Sequence, residues 1–325
     1  MALPFPSAEL VDRFRADVEA LGGDKKGLAV AVSGGPDSLA LLLLACAAYP
    51  GRVRAATVDH GLRAESVDEA ERVAEICSLI PCPHDILTVV VPPGGEGVQS
   101  EARRARYTAL AGWMARLGLT DLLTGHHADD QAETLLMRLI RGSGVSGLAG
   151  IRARTSLPGS EIAARLLRPL LSWRRDELAA IVRTAGIVPV DDPSNRDHKH
   201  DRVRIRAQLA QSPWLDPLAL ARSASALAEA EEALDLTATA LSAERVDRAD
   251  GAILFRPDGI AEELVRRIVL RSLRAISPEA EPRGDQLTSL VQTLRAGKIS
   301  TLAGVKCTGG TIFRFEPESP RRSRG

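Results

Sequence analysis

Aromatic residues are scarce: five Phe, three Trp and two Tyr make up 3% of 325 residues. Sequence-tolerant binding of single strands leans on rows of exposed rings, so a broad base-stacking platform is excluded. Aliphatic side chains must fill the core. Cysteine is scarce too. Cys46, Cys77, Cys82 and Cys307 form no C-x-x-C pair, which leaves neither a thiolate metal finger nor a disulfide framework. Each reads as a small buried apolar residue. Long hydrophobic runs are missing. The longest covers residues 39–48, well short of the roughly 20 that cross a bilayer. The N-terminus has acids early and no apolar signal core. Together these absences predict a cytoplasmic location and no membrane partner.

Net charge is also missing. Lys plus Arg number 42 and Asp plus Glu number 42, which excludes a uniformly basic nucleic-acid coat and an acidic disordered chain. The balance conceals segregation. Residues 1–137 hold 12 basic and 19 acidic side chains, and residues 138–214 hold 14 and 7. Residues 215–264 hold 4 and 11, and residues 265–325 hold 12 and 5.

What is present is an alternation of short apolar runs with helical patterns. Strands are expected at 28–32, 53–60, 84–91, 121–125 and within 163–170. Helices are expected at 7–21, 39–48, from Ser66, at 99–118, 128–141 and from Trp173. This order predicts an α/β domain, a doubly wound parallel sheet with helices on both faces, whose ligands bind at the carboxyl ends of the strands. Residues 216–243, 259–275 and 284–296 read as helices, with short strands at 253–255 and 311–315. The division expected is 1–213 for a catalytic domain and 214–325 for a smaller, mainly helical one.

The chemistry-bearing residues follow strands. Ser33, Gly34, Gly35, Pro36, Asp37 and Ser38 stand between the first strand and a helix. Glycines let backbone approach a ligand closely, and hydroxyls and helix N–H groups can donate to phosphate. The run is neither a Walker A loop nor G-x-G-x-x-G. Asp37 would repel phosphate without a cation between them, so it implies Mg²⁺. A plain Gly-Pro-Asp turn with Ser and Asp caps would use the same residues.

Ser33 to Ser38 resembles the SGGxDS pyrophosphate loop of the N-type ATP pyrophosphatases. Further runs resemble the tRNA(Ile)-lysidine synthetases in particular: Asp59-His60-Gly61-Leu62-Arg63, Glu101-Ala102-Arg103-Arg104-Ala105-Arg106-Tyr107, and Thr124-Gly125-His126-His127-Ala128-Asp129-Asp130-Gln131-Ala132-Glu133-Thr134. Arg141-Gly142-Ser143-Gly144, Arg168-Pro169-Leu170-Leu171 and Asp192-Pro193-Ser194-Asn195 continue the likeness. One departure is Val203, where the family's pattern has Asn. The chain's length suits the shorter family members.

The resemblance implies ATP and Mg²⁺ as cofactors, with L-lysine and a CAU-anticodon tRNA(Ile) as partners. ATP adenylates oxygen 2 of the wobble cytidine, and the lysine amine then displaces AMP. It places Ser33 to Ser38, Asp59, His60, Gly125, His127 and Arg106 around the nucleotide and Asp37 on the metal. Asp130 and Glu133, three apart at a helix start, share a side and suit the lysine ammonium groups, with Asp130 also a metal candidate. Asp129 stays open, as favourable helix-start acid or as functional group. Zinc is a poor reading of His126 and His127: adjacent histidines diverge and no thiol pair joins them. Arg196, Lys199, Arg202, Arg204 and Arg206 are the expected tRNA contacts. A homodimer is left open. Rival readings are a tRNA thiolase, which needs reactive cysteines, a non-catalytic nucleotide-binding module, and an amide-forming ligase.

Overall fold

The computed structural model describes residues 4–23, 27–59, 65–80, 82–89, 98–160, 162–190 and 201–318. His60, Arg196, Lys199 and the 192–195 run lie outside them. The chain divides into two compact units, residues 1–141 with 149–225, and residues 142–148 with 226–325.

In the first unit the elements run α1 (Ala8–Ala20), β1 (Leu28–Ala31), α2 (Pro36–Ala48), β2 (Val53–Asp59), α3 (Glu65–Ser78), β3 (His84–Thr88), α4 (Val98–Leu117), β4 (Asp121–Leu123) and α5 (Ala128–Ile140). The short α6 (Val145–Leu148) belongs to the second unit. Then follow β5 (Arg154–Ser156), β6 (Arg165–Leu167), α7 (Arg175–Thr184) and α8 (Asp201–Ala210). The six strands pair in the order β3-β2-β1-β4-β6-β5, all parallel except the edge strand β5. The doubly wound parallel sheet expected from sequence is present.

Strand alternation builds two cores, because successive side chains point to opposite faces. Leu28, Val30, Ala55, Leu123 and Leu167 pack with residues of α1, α2, α3 and α7. Ala29, Ala56, Leu122 and Leu166 pack with Tyr107, Leu110, Trp113 and Met114 of α4. Helix α2 is buried along nearly its whole length, from Ser38 through Cys46. That explains its lack of a polar face. It begins at Pro36, earlier than the apolar run alone suggests. Proline is pre-organised for the first helical position and its missing N–H costs nothing there. Asp37 and Ser38 therefore sit in the first helical turn.

Strand order sets where a ligand can go. From β1 the chain builds outward through β2 and β3. It then returns to place β4 on the other side of β1. The loops leaving β1 and β4 thus flank a crevice at the point where the winding reverses, the usual ligand position in such sheets.

Helix α9 (Pro217–Arg245) runs on into the second unit, which continues with β7 (Val246–Ala249), β8 (Ala252–Phe255), α10 (Glu262–Ile276), α11 (Gly284–Arg295), β9 (Ile299–Leu302), β10 (Val305–Thr308) and β11 (Phe313–Pro317). Its antiparallel sheet has the order β7-β8-β11-β10-β9. Val265, Ile268, Val269 and Leu273 of α10 and Leu290, Val291 and Leu294 of α11 share a core with Phe255, Phe313 and Phe315. This unit has more sheet than its sequence suggests. No described helix is long and apolar enough to cross a membrane.

Candidate functional site

The loop after β1 is held by its own serines. Ser38 Oγ accepts the Ser33 backbone N–H at 3.1 Å, lies 3.2 Å from Ser33 Oγ, and donates to the Gly35 carbonyl at 3.0 Å. Gly34 has φ of +82°, and a Cβ there would lie 2.6 Å from Val73 Cγ2. Only glycine satisfies both conditions.

The loop after β4 packs directly onto this one. A Cβ on Gly125 would meet the Asp37 carbonyl oxygen at 2.9 Å and the Ser38 nitrogen at 3.1 Å. His127 then caps α5: its Nδ1 accepts the Asp130 N–H at 3.4 Å, and Asp130 Oδ2 accepts the His127 N–H at 3.1 Å. The other ring nitrogen of His127 stands 3.4 Å from Asp37 Oδ2. Burial opposes a proton on this ring, but Asp37 and Asp130 outweigh it and hold its pKa above the usual value. His126 goes the other way. Its Nδ1 is 3.0 Å from Thr124 Oγ1. Burial, reinforced by Arg168, Arg202 and Arg103 against Asp130, pushes its pKa down to about 4. The two histidines diverge, as their adjacency predicts.

Between the loops opens a cavity of about 550 Å³. Ser33, Gly35, Pro36, Asp37, Ser38, Arg106, Gly125 and Asp130, expected around the nucleotide, metal and lysine, line it, and so do Arg202 and Arg206, expected instead to contact tRNA. Gly34 shapes the loop from behind. Asp59, at the end of β2, and His127 are buried. Arg103, Tyr107, Thr124, His126 and Arg175 also line the cavity. Of these, Arg175 carries no motif of its own. Its place is set by Asp129, whose Oδ2 accepts the Arg175 N–H at 2.9 Å and ties the start of α7 to α5. Asp129, left open by its sequence position, takes this linking role.

Glu133 is buried beneath the cavity wall, 1% exposed, and faces three arginines. Arg206 Nε donates to its Oε1 at 2.7 Å, Arg202 Nε to its Oε2 at 2.8 Å, and Arg175 Nη2 to its Oε1 at 3.3 Å. Arg202 Nη2 also donates to Asp130 Oδ1 at 3.1 Å. Burial alone would lower the Arg206 pKa, yet Glu133, with Asp130 and Asp37 beyond it, raises it. Of the cations expected to meet RNA, Arg202 and Arg206 therefore turn inward to carboxylates. Arg204 is exposed and pairs with Asp201.

The metal expectation can be tested on Asp37. Its Oδ1 is buried without a hydrogen-bond partner. Among the described residues no group of three or more His, Cys, Asp or Glu is arranged to cage a metal ion. Mg²⁺ does not need such a cage: one or two carboxylates plus substrate phosphates suffice. Asp37, in the first turn of α2 beside the phosphate-type loop, fits that pattern. No cysteine lines the cavity. All four are buried; burial first of all pushes the Cys77 and Cys307 thiols up to about 12, and Cys82 alone is held down, by its hydrogen bond with Cys46.

A PP-loop domain model matches residues 8–212. Among solved structures, a U34-tRNA thiolase from Methanococcus maripaludis is similar in fold, with a TM-score of 0.53 and 18% identity, over 69% of this chain and 79% of that one. The tRNA(Ile)-lysidine synthase of Zymomonas mobilis is 43% identical over 91% of this chain and 89% of its own. That of Novosphingobium aromaticivorans is 49% identical over 94% of each. With a phosphate loop, an acid-bearing helix start and an arginine-lined cavity meeting at one sheet crevice, and relatives this similar along nearly the whole chain, the chain belongs to the tRNA(Ile)-lysidine synthase family.

Proposed function

We propose that this chain joins L-lysine to carbon 2 of the wobble cytidine in CAU-anticodon tRNA(Ile), consuming ATP. Oxygen 2 of the base attacks the α-phosphorus, the bond to the β-phosphate oxygen breaks, and diphosphate leaves. The lysine amine then attacks carbon 2. The carbon–oxygen bond breaks, AMP departs carrying that oxygen, and the amine sheds a proton.

The observation that carries this reading is the joining of two chemistries in one cavity. The Ser33–Ser38 loop and the α2 N-terminus offer hydroxyls and N–H groups to phosphate oxygens. Asp37 would hold Mg²⁺, which when bound neutralises charge on those oxygens. Asp130 faces the same space with Glu133 beside it. Lysine is cationic at neutral pH and needs such carboxylates. Arg106 and His127 belong to the nucleotide's surroundings. An anticodon loop presents its bases without melting a duplex. Its phosphates call for cations: the exposed Arg204 is one, and Arg196 and Lys199, outside the described residues, are the others proposed.

The test supplies the protein with ATP, Mg²⁺, labelled lysine and CAU-anticodon tRNA. Label should enter the RNA and the amount of diphosphate released should match it. Folded protein that leaves the RNA unlabelled overturns the reading.

A further inference from the structure

The carboxylates that suit a lysine ammonium group are already neutralised. A carboxylate offers about four acceptor positions. On Glu133 all are taken: Oε1 accepts from Arg206 Nε at 2.7 Å and Arg175 Nη2 at 3.3 Å, and Oε2 from Arg202 Nε at 2.8 Å and Arg206 Nη2 at 3.3 Å. Asp130 spends one oxygen on Arg202 and the other on the His127 N–H. Three guanidinium groups thus face two carboxylates. An incoming ammonium group meets three guanidinium groups and no free lone pair on Glu133. As it stands, the carboxylates that would partner lysine in this corner are occupied by arginine.

The same arginines line the cavity with Ser33, Gly35, Asp37 and Ser38. Their side chains are 29% to 42% exposed, whereas that of Glu133 is 1% exposed. Glu133 is thus the buried, fixed partner. The arginines end long, rotatable stems, and a triphosphate entering this cavity offers them stronger acceptors than a carboxylate they already share. We propose that Arg175, Arg202 and Arg206 lock the lysine subsite of the free protein, and that the phosphates of ATP draw them away from Glu133, so that lysine binds well only after ATP. This rests on the lysidine-forming reading above and adds an order of binding to it.

Such a lock is a coupling free energy, so it acts in both directions equally. Lysine affinity of the full chain is measured by equilibrium dialysis, alone and with saturating α,β-methylene-ATP and Mg²⁺. The expected result is at least a tenfold gain with the nucleotide, matched by an equal gain in nucleotide affinity at saturating lysine. Adenosine, which carries no phosphate, should give no gain. Arg175→Gln and Arg206→Gln should each bind lysine more tightly than the wild type without nucleotide, with the coupling shrinking toward one. Equal lysine affinity in both states, undetectable binding included, in protein that makes lysidine would overturn the lock and leave the reaction standing. A full gain with adenosine would overturn the role of phosphate. Folded protein that makes no lysidine overturns the underlying reading instead. The wild-type measurements decide the matter even if a variant fails to fold.

Discussion

At the scale of single residues, Asp37 and Gly125 serve the site in different ways. Asp37 contributes charge. Asp37→Asn keeps the shape of the first turn of α2 but removes the anion that would hold Mg²⁺ beside the phosphates. Turnover should fall by about 100-fold or more while thermal unfolding changes little. Undiminished turnover would remove Asp37 from the metal site. Gly125 contributes space. A Cβ there would press on the Asp37 carbonyl at 2.9 Å and the Ser38 nitrogen at 3.1 Å. These are backbone atoms and cannot rotate aside. Gly125→Ala should cost about 1–3 kcal/mol of stability and raise KM for ATP, read by calorimetry and initial rates. The site's two loops were legible in the sequence because their residues are contiguous and follow strands. Arg175 was not. It reaches the cavity through Asp129, 46 positions away in sequence, and no local pattern encodes that meeting. The inward turn of Arg202 and Arg206 was also hidden. A run of arginines reads as an RNA-facing surface until the buried carboxylate beside it is known.

At the scale of elements, legibility followed packing. Strands β1 and β4 are buried almost throughout, and β2 leaves only Arg54 exposed, so their short, mostly apolar stretches alternating with helices disclosed the parallel sheet. The second unit's strands are short and half-polar: Ile299-Ser300-Thr301-Leu302 and Val246-Asp247-Arg248-Ala249 do not stand out by hydrophobicity. Their turns carried more information. Asp250 and Gly251, joining β7 to β8, have φ of 50° and 73°. Positive φ at both central positions suits a two-residue hairpin, and Asp-Gly is a strong sequence sign of one. Ala303 and Gly304, joining β9 to β10, have φ of 53° and 73°, but alanine gives no such sign. It is also strained there, since a Cβ in the left-handed region costs about 1 kcal/mol or more. Ala303→Gly should therefore raise the unfolding free energy of the second unit by up to about 1 kcal/mol, despite the added flexibility of the unfolded chain. Gly304→Ala should lower it by a similar amount. A denaturant series on both variants tests the pair, and the same sign of change in both would refute the turn argument.

For the whole molecule, zero net charge conceals a division of labour. The acidic first block holds Asp37, Asp130 and Glu133, which suit a metal ion and a cationic amino acid. The basic block from residue 138 holds Arg175, Arg202 and Arg206, which turn to those acids, and Arg204, which does not. Arg204 is exposed, and Asp201 shares its acceptors between Arg204 and Arg141. Each phosphate contact made on binding RNA releases counterions and adds to the salt dependence, by about 0.7 in logarithmic slope for a single strand. If Arg204 meets a phosphate, Arg204→Ala should weaken tRNA binding and flatten the plot of log affinity against log salt by roughly that amount. Asp201→Asn should act oppositely, tightening binding at low salt, because it frees two arginines from a competing carboxylate. Both variants leave the carboxylates of the cavity untouched, so ATP binding serves as the control. A slope unchanged by Arg204→Ala would assign the RNA contact to other cations of the chain. Tighter binding by Asp201→Asn with an unchanged Arg204→Ala slope would place it on Arg141.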